Sequence, residues 1–296
     1  MPRAGGWPPR PHGALSERPT RPSVVARAGA VASPPVASDN VLLDVRDGVA
    51  HLTLNRPEAA NGIDAGLAHD LLAAVNDLAS DDRVRVVLLS GNGARFCGGG
   101  DVKNFAEHPD DLARHVRGFL PSLHTAITML VRGDAPVVAA VHGSAAGAGL
   151  GLVAASDLAV AGASTKFVMA YTGVGLTPDG SSSWFLPRLV GVRRALELTL
   201  TNRVLTADEA LEWGLITRVV ADDDVHAEAG ALAAQLAAGP RGAIAAAKRL
   251  VHTSLEDTLE SHLAREADAI IAAASTDDAT EGIRAFVEKR APTFRD

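Results

Sequence analysis

An α/β fold followed by a mainly helical C-terminal part is predicted by three features of the sequence. Short apolar runs rich in β-branched residues alternate with stretches that repeat apolar residues at helical spacing, as far as about residue 160. Two of these apolar runs end in glycine-rich segments. Beyond Gly180 the helical pattern continues almost without interruption. With 296 residues, of which 47% are hydrophobic, the chain can bury a sizeable core.

The first 38 residues differ in composition from the remainder. They hold eight of the sixteen prolines and five arginines against one glutamate, without hydrophobic periodicity. Such a segment cannot bury enough apolar surface to fold, so residues 1–38 are predicted to be a disordered leader that is dispensable for activity and stability. Its arginine content resembles that of a transit peptide, but the prolines oppose an amphipathic helix, which favours a tolerated extension.

The first elements after the leader form a predicted hairpin. Val41–Arg46 and Val49–Leu54 have the composition of strands, and Asp47-Gly48 between them is a dipeptide favoured in tight turns. Helical spacing of apolar residues follows in Asp64–Ala79 and again in Asp110–Arg132. Each of these predicted helices precedes a buried strand, and the remaining strands are predicted at 84–89, 137–141 and 157–160.

The rest of the chain is predicted to be helical, in the segments 182–189, 192–201, 207–212, 225–237, 243–253, 255–274 and 279–289. We therefore expect an α/β core over residues 39–220 and a helical region over residues 221–296. The second region contains more apolar helix than an α/β core requires, which predicts self-association.

Composition argues against several classes of partner. The net charge of −7 argues against a nucleic-acid-binding face on the body of the protein. The single cysteine, Cys97, allows no intrachain disulfide and is typical of a reducing, cytoplasmic compartment. No apolar run reaches the roughly 20 residues that span a membrane. The ten histidines have no metal-ligand spacing, so no metal site is expected.

The two glycine-rich segments are the strongest candidates for chemistry. The run of 137–141 ends at Gly143, and the small residues that follow allow a tight turn into a helix, whose first N–H groups lack intrahelical partners. The run of 84–89 leads to SGNGARFCGGGD, which can present the Gly100 N–H beside Asp101. Two such strand-to-turn units can place one N–H each around one carbonyl oxygen and stabilise an oxyanion.

Four segments resemble the crotonase, or enoyl-CoA hydratase/isomerase, superfamily. They are LNRPEAANGID at 54–64, ARFCGGGD at 94–101, PVVAAVHGSAAGAG at 136–149 and RALELTLTNRVLTADEALEWGLITRVV at 194–220. The resemblance extends from about Val41 to the C-terminus. It implies a spiral of ββα units whose C-terminal helices pack on neighbouring subunits in trimers or hexamers. It also implies an acyl-CoA thioester as substrate and no separate cofactor, because coenzyme A is part of the substrate.

By this resemblance the thioester carbonyl lies between the backbone N–H groups of Gly100 and Ala148. Two positions where enoyl-CoA hydratases carry glutamates are occupied by Gly151 and Tyr171. Neither side chain can exchange a proton with water as a carboxylate does, so hydration by paired carboxylates is disfavoured. Residues expected to contact the substrate are Gly98, Gly99, Asp101, Gly147 and Tyr171, with Arg56 and Lys103 as candidates to meet the CoA phosphates from exposed loops.

A different carboxylate is the candidate base. Asp179 follows a proline at a predicted turn, just before the apolar cluster at 184–186, and a carboxylate removed from water there is a stronger base. Taken alone, an aspartate at this position is more often a helix cap or turn residue. However, GLTPD at 175–179 matches the GLIPD motif that holds the catalytic aspartate of 1,2-epoxyphenylacetyl-CoA isomerases. AFVEKRAPTF near the C-terminus resembles their ending as well.

A second resemblance, to 4-chlorobenzoyl-CoA dehalogenases, leaves an alternative open. There Asp179 is the nucleophile and His124, twelve residues before Pro136, is the base that releases the product. Tyr171 and Gly100 depart from that pattern, because they stand where the dehalogenases have a tryptophan and a phenylalanine. Three hypotheses follow: an acyl-CoA isomerase that uses Asp179 as proton shuttle, a hydrolytic dehalogenase that uses Asp179 and His124, and a catalytically silent acyl-CoA binder.

Overall fold

The structure, a computed structural model, describes residues 39–295. The prediction for residues 1–38 therefore lies outside the described part of the chain. Nine strands are present: β1 Val41–Arg46, β2 Val49–Leu54, β3 Val86–Gly91, β4 Val137–Val141, β5 Ser144–Ala146, β6 Leu158–Gly162, β7 Lys166–Val168, β8 Leu205–Thr206 and β9 Arg218–Val220, counted over the described residues.

Eleven α-helices accompany these strands within residues 39–295. They are α1 Ala65–Ser80, α2 Val102–Ala106, α3 Leu112–Arg132, α4 Ala148–Ala155, α5 Ser182–Val190, α6 Val192–Thr201, α7 Ala207–Glu212, α8 Val225–Ala237, α9 Arg241–Thr253, α10 Leu259–Ala274 and α11 Asp277–Glu288. Short 3₁₀ turns lie at Pro57–Ala59, Thr172–Val174 and Asp222–Asp224.

The main sheet has six strands in the order β1-β2-β3-β4-β6-β9. β1 and β2 form the predicted antiparallel hairpin, with Arg46 paired to Val49 across Asp47-Gly48, and every other neighbouring pair is parallel. Asp47 and Gly48 both have positive φ, as this kind of tight turn requires. A second, three-stranded sheet has the order β5-β7-β8.

Alternate residues of the main sheet face two separate apolar layers. The face that carries Leu52, Leu89 and Ala139 packs with α1 and α3 in the larger cluster, whereas the face that carries Leu88 and Val138 packs against α8. Since both faces are covered, the central strands are continuous apolar runs, as parallel sheets require. The sheet and α8 thus form one packed unit that extends across residue 220, the expected boundary of the core.

Most predicted elements are confirmed to within a few residues. The runs 41–46, 49–54, 137–141, 192–201, 207–212 and 225–237 have the predicted bounds. The strand predicted at 84–89 spans Val86–Gly91. The strand predicted at 157–160 spans Leu158–Gly162, and Asp157 lies just before it. Short elements such as β5, β7 and α2 were not predicted.

The last two helices pack loosely on the rest of the chain. None of the residues of α10 is buried, and Leu259, Ile270 and Phe286 are among the most exposed large apolar residues. Among residues 39–295, no helix is both long and apolar enough to cross a membrane. The same residues contain no cluster of three or more potential metal ligands.

Candidate active site

The two glycine-rich turns lie side by side and are held together by backbone hydrogen bonds. Cys97 and Ala145 form a parallel bridge, in which the Cys97 N–H donates to the Ser144 carbonyl at 3.2 Å and the Ala146 N–H donates to the Cys97 carbonyl at 2.9 Å. Continuing this register places Gly99 opposite Gly147 and Gly100 opposite Ala148. A Cβ added to Gly99 would lie 2.7 Å from the Ala146 carbonyl oxygen, so the close approach depends on glycine.

The residues after the two glycines each offer an N–H group. Ala148 is the first residue of α4, where an N–H has no intrahelical partner. Within the described chain, neither the Gly100 nor the Ala148 N–H donates a hydrogen bond to a protein acceptor. Both residues line the same cavity. The arrangement therefore forms a pair of donors of the oxyanion-hole type.

That cavity has a volume of about 210 Å³ and mostly apolar walls. One wall is the long helix α3, which contributes Val116, Phe119, Leu120 and Leu123. Phe105 of α2 closes the space above the donors, since a Cβ on Gly100 would lie 2.9 Å from its ring. An apolar wall suits a hydrocarbon or aromatic group and excludes water from charges inside the cavity.

Asp179 reaches this cavity together with Tyr171. The Tyr171 hydroxyl lies 2.5 Å from Asp179 Oδ1 and donates a hydrogen bond to it. The Ser182 hydroxyl and N–H both donate to the Asp179 carbonyl oxygen, at 2.7 and 3.0 Å, and this fixes the backbone of the turn. Among the residues that line the cavity, Tyr171 and Asp179 are the only titratable ones.

The backbone around this pair adopts unusual conformations. Ala170, directly before Tyr171, has φ of 60°, and Ser181, two residues after Asp179, has φ of 67°. Residues other than glycine rarely adopt these φ values, and each such residue lowers the stability of the fold by about 1 kcal/mol or more. Strained residues that flank the two titratable side chains of an apolar cavity are typical of functional sites.

The Asp179 turn rests on the first turn of α4. A Cβ added to Gly180 would lie 3.1 Å from the Ala148 Cβ, and a Cβ added to Gly151 would lie 2.2 Å from the Gly180 carbonyl oxygen. The small residues of α4 therefore let the carboxylate approach the donor pair. The same contact leaves no room for a glutamate side chain at position 151.

Two buried groups in this region have strongly perturbed acidity. Burial, followed by the charge and hydrogen bond of Asp179, raises the pKa of Tyr171, so the phenol stays protonated. Burial raises the pKa of Cys97 to about 12. The Cys97 thiol contacts the Asn61 carbonyl oxygen at 3.1 Å behind the turn, and a buried thiol of high pKa is unreactive.

Arg56 does not lie in an exposed loop, contrary to expectation. Its guanidinium contacts Asp64 at 2.9 Å and Asp101 at 3.1 Å and donates to the Gly62 carbonyl, with only 16% of the side chain exposed. Two carboxylates therefore satisfy its charge, which argues against a phosphate contact. Lys103 is exposed, as expected, but it lies on α2 rather than in a loop.

Asn61 is a site-supporting residue that the sequence analysis missed. Its fully buried side chain donates to the carbonyls of Asn92, Arg95 and Phe96 and accepts from the Arg56 N–H. These bonds tie the segment before α1 to the loop that carries Gly100. An asparagine in a polar loop gives no sequence signal for this role, because its partners are distant carbonyls.

His124 lies outside the cavity. Its side chain is exposed on α3, while the preceding Leu123 faces the cavity. One helical residue corresponds to a rotation of about 100°, which turns neighbouring side chains to different faces. The structure therefore does not bring His124 to the cavity beside Asp179, as the dehalogenase alternative would require.

The remaining predicted residues come together. Six of them line one cavity: Gly98, Gly100, Gly147, Ala148, Tyr171 and Asp179. Gly99 and Asp101 stand behind it, where Asp101 caps α2 by accepting from the Asn104 N–H at 3.1 Å. The Asp101 N–H donates to the Ile63 carbonyl at 3.0 Å, so the segments before α1 and α2 support the Gly100 turn jointly.

Comparison with known proteins places this geometry in a family. Residues 44–296 match the family model described as enoyl-CoA hydratase/isomerase. A 4-chlorobenzoyl coenzyme A dehalogenase from Arthrobacter sp is 38% identical over 251 residues, covering 84% of this chain and 91% of the relative. The 1,2-epoxyphenylacetyl-CoA isomerase of Escherichia coli is 37% identical over 258 residues, covering 86% and 97%.

A solved structure gives the same result. The crystal structure of an enoyl-CoA hydratase from Polaromonas sp. JS666 is similar with a TM-score of 0.82 and 32% identity, covering 86% of this chain and 99% of that one. The names of these three proteins include a dehalogenase, an isomerase and a hydratase. The match over most of the chain, with the paired N–H donors beside an apolar cavity, shows that the protein belongs to the crotonase, or enoyl-CoA hydratase/isomerase, family.

Proposed function

We propose that this protein isomerises an unsaturated acyl-CoA thioester, with Asp179 as the proton shuttle and the N–H groups of Gly100 and Ala148 as the oxyanion hole. The observation that carries the proposal is the presence of a single carboxylate, Asp179, among the residues that line the cavity. One carboxylate is sufficient for moving a proton between two carbons of the same substrate.

The reaction balances without any further reagent. The Asp179 carboxylate takes a proton from the carbon next to the thioester carbonyl, and the C–H electrons move into an enolate whose oxygen accepts hydrogen bonds from the Gly100 and Ala148 N–H groups. Protonated Asp179 then returns the proton to the γ carbon (C4) of the substrate. The double bond thereby moves from C3–C4 to C2–C3. Neither water nor a redox partner takes part.

Two observations support isomerisation over the activities named for other relatives. Hydration by paired carboxylates needs a second carboxylate. The Gly180 carbonyl fills the space that a side chain at position 151 would need, so position 151 cannot supply one. Hydrolytic dehalogenation needs a base to activate water for the second step, and exposed His124 does not line the cavity. Tyr171 lines the cavity but keeps its proton, so it cannot replace either group.

We further propose the setting in which the reaction occurs. The substrate brings its own coenzyme A, and exposed Lys103 is placed to meet the CoA phosphates near the mouth of the site. The protein acts in the cytoplasm as a homotrimer or homohexamer, supported by its single buried thiol and by the exposed apolar residues of α10 and α11.

The Asp179→Asn variant tests the proposal directly. The amide keeps the shape of the side chain and loses the basic oxygen, so kcat for 3-enoyl-CoA isomerisation should fall by about 10²-fold or more, while KM changes little. Formation of the conjugated 2-enoyl thioester is followed by its ultraviolet absorbance. Asp208→Asn is the matched control, because Asp208 is an exposed carboxylate in the first turn of α7, away from the cavity.

A panel of substrates separates the alternatives. Halide release from 4-chlorobenzoyl-CoA with loss of activity in His124→Ala would support the dehalogenase instead. Binding of acyl-CoA without turnover of any enoyl or aroyl thioester would support a silent binder. Wild-type isomerisation by the Asp179→Asn variant would refute the role of Asp179.

A further inference from the structure

We propose that Tyr171 is a positioning residue that clamps one oxygen of the Asp179 carboxylate and leaves the other as the sole proton carrier. This inference rests on the proposed function. It adds a role for Tyr171 that the proposed function by itself does not require. The resemblance suggested only that Tyr171 contacts the substrate. The structure instead directs its hydroxyl at the neighbouring carboxylate.

The geometry distinguishes the two carboxylate oxygens. Oδ1 accepts the 2.5 Å hydrogen bond from Tyr171, whereas Oδ2 accepts no hydrogen bond from any residue of the described chain. The Tyr171 hydroxyl also lies 3.3 Å from the Asp179 carbonyl oxygen, so it contacts both the side chain and the backbone of the turn. A carboxylate held in this way cannot rotate freely about its terminal bond, and Oδ2 stays directed to one place.

The clamp is built into the surrounding backbone. Tyr171 follows the left-handed Ala170, and Asp179 precedes the left-handed Gly180 and Ser181, so the two short segments present the two side chains to each other. The Tyr171 ring is only 8% exposed and lies beside Gly147 at the start of α4. Both side chains line the cavity of the paired N–H donors.

The chemistry of the phenol suits a fixed donor. Burial and the charge of Asp179 raise the pKa of Tyr171, so the hydroxyl keeps its proton while Asp179 gains and loses one. In each cycle a single proton moves between substrate carbon and Oδ2, and the Tyr171 proton stays in place.

The Tyr171→Phe variant tests this role. Without the hydroxyl, Asp179 Oδ1 loses its hydrogen-bond donor, and the carboxylate is free to rotate about its terminal bond. For 3-enoyl-CoA, kcat should fall about tenfold with KM nearly unchanged, because the lost hydroxyl is directed at Asp179. Thr165→Val is the matched control, since it removes a buried hydroxyl bonded to the Val141 carbonyl outside the cavity.

A second measurement does not depend on turnover. Tyr171 is the only tyrosine among the 296 residues, so protein labelled with ¹³C at tyrosine Cζ shows one side-chain resonance. In Asp179→Asn this resonance should shift, and its titration should begin at lower pH, because the neighbouring negative charge is gone. Asp208→Asn should leave the resonance unchanged.

The outcomes separate the two proposals. If Tyr171→Phe keeps the wild-type kcat, the clamp is refuted even when Asp179→Asn is inactive. If the wild-type protein isomerises no enoyl thioester, the proposed function fails, and the tyrosine resonance still decides whether the clamp exists. A resonance indifferent to Asp179→Asn refutes the clamp whatever the activity.

Discussion

At the scale of single residues, small side chains determine the position of Asp179, the proposed catalytic carboxylate. Gly151 lies on α4 against the Gly180 carbonyl, and Ala148 lies against Gly180 itself. At position 148 there is room for a side chain no larger than a methyl group. At position 151 there is no room for a side chain. The identity of these residues therefore controls the distance from Asp179 to the donor pair.

Gly151→Ala should consequently reduce both activity and stability. The added methyl overlaps the Gly180 carbonyl, and relief of such overlap costs about 1 to 3 kcal/mol and moves the Asp179 turn. Gly230→Ala is the control, because a Cβ at that position in α8 meets nothing within 4 Å and should raise stability by up to about 1 kcal/mol. Urea unfolding and isomerase assays of both variants test this. Equal behaviour of the two variants would contradict it.

At the scale of elements, a buried charge cluster fastens α9 to the core. The Asp157 carboxylate accepts hydrogen bonds from the Val137 N–H at 2.7 Å and from Lys248 at 3.0 Å, and the His252 ring lies 2.7 Å away. Lys248 also donates to the carbonyls of Leu130 and Ala135, both at 2.9 Å. The cluster thus connects α9 with the end of α3 and with the strands β4 and β6.

This cluster predicts a dependence of stability on pH. Burial alone would raise the pKa of Asp157, but the hydrogen bond of His252 and the charge of Lys248 outweigh burial and hold the pKa below its ordinary value. Because the pKa is lowered in the folded state, this stabilisation is complete above the pKa of unfolded aspartate, about 3.9, and is lost as the pH falls through the folded value. We expect the free energy of unfolding to fall over that range.

Comparison with Asp157→Asn isolates the contribution, since the variant should lose less stability than the wild type over the same acid range. Lys248→Met should destabilise the protein by about 3 kcal/mol at neutral pH, because it leaves the buried Asp157 carboxylate without its positively charged partner. Urea unfolding measured from pH 6 to pH 3 provides the check. Parallel curves for wild type and Asp157→Asn would contradict the assignment.

At the scale of the whole molecule, the C-terminal helices expose too much apolar surface for an isolated chain. Ile270 and Ile271 of α10 are 67% and 66% exposed, and Phe286 of α11 is 85% exposed. Patches of this kind usually mark an interface between proteins. A second copy of the chain is the partner that the family resemblance implies.

We therefore predict a trimer or hexamer in sedimentation equilibrium at micromolar concentration. Ile270→Glu should shift the protein toward smaller species, because a charge in an apolar interface is costly to desolvate. Leu42→Glu is the matched control, since Leu42 is an exposed apolar residue of β1 outside the C-terminal helices. A monomeric wild-type protein would disprove this prediction.

The sequence by itself determined the family, most of the elements and the location of the donor pair. Apolar runs and helical spacing report local structure, and the glycine-rich segments after two strands identify turns whose N–H groups are free. The GLTPD motif also pointed to Asp179. These features could be predicted because each depends on residues that are neighbours in the chain.

Only the tertiary structure decided how side chains from distant segments face one another. It paired Tyr171 with one oxygen of Asp179, enclosed Arg56 between Asp64 and Asp101, and turned His124 away from the cavity. Asn61 and the Gly151 contact with Gly180 likewise became visible only in the fold. These relations follow from the direction of each Cβ and the packing of separate elements, which neither composition nor spacing along the chain specifies.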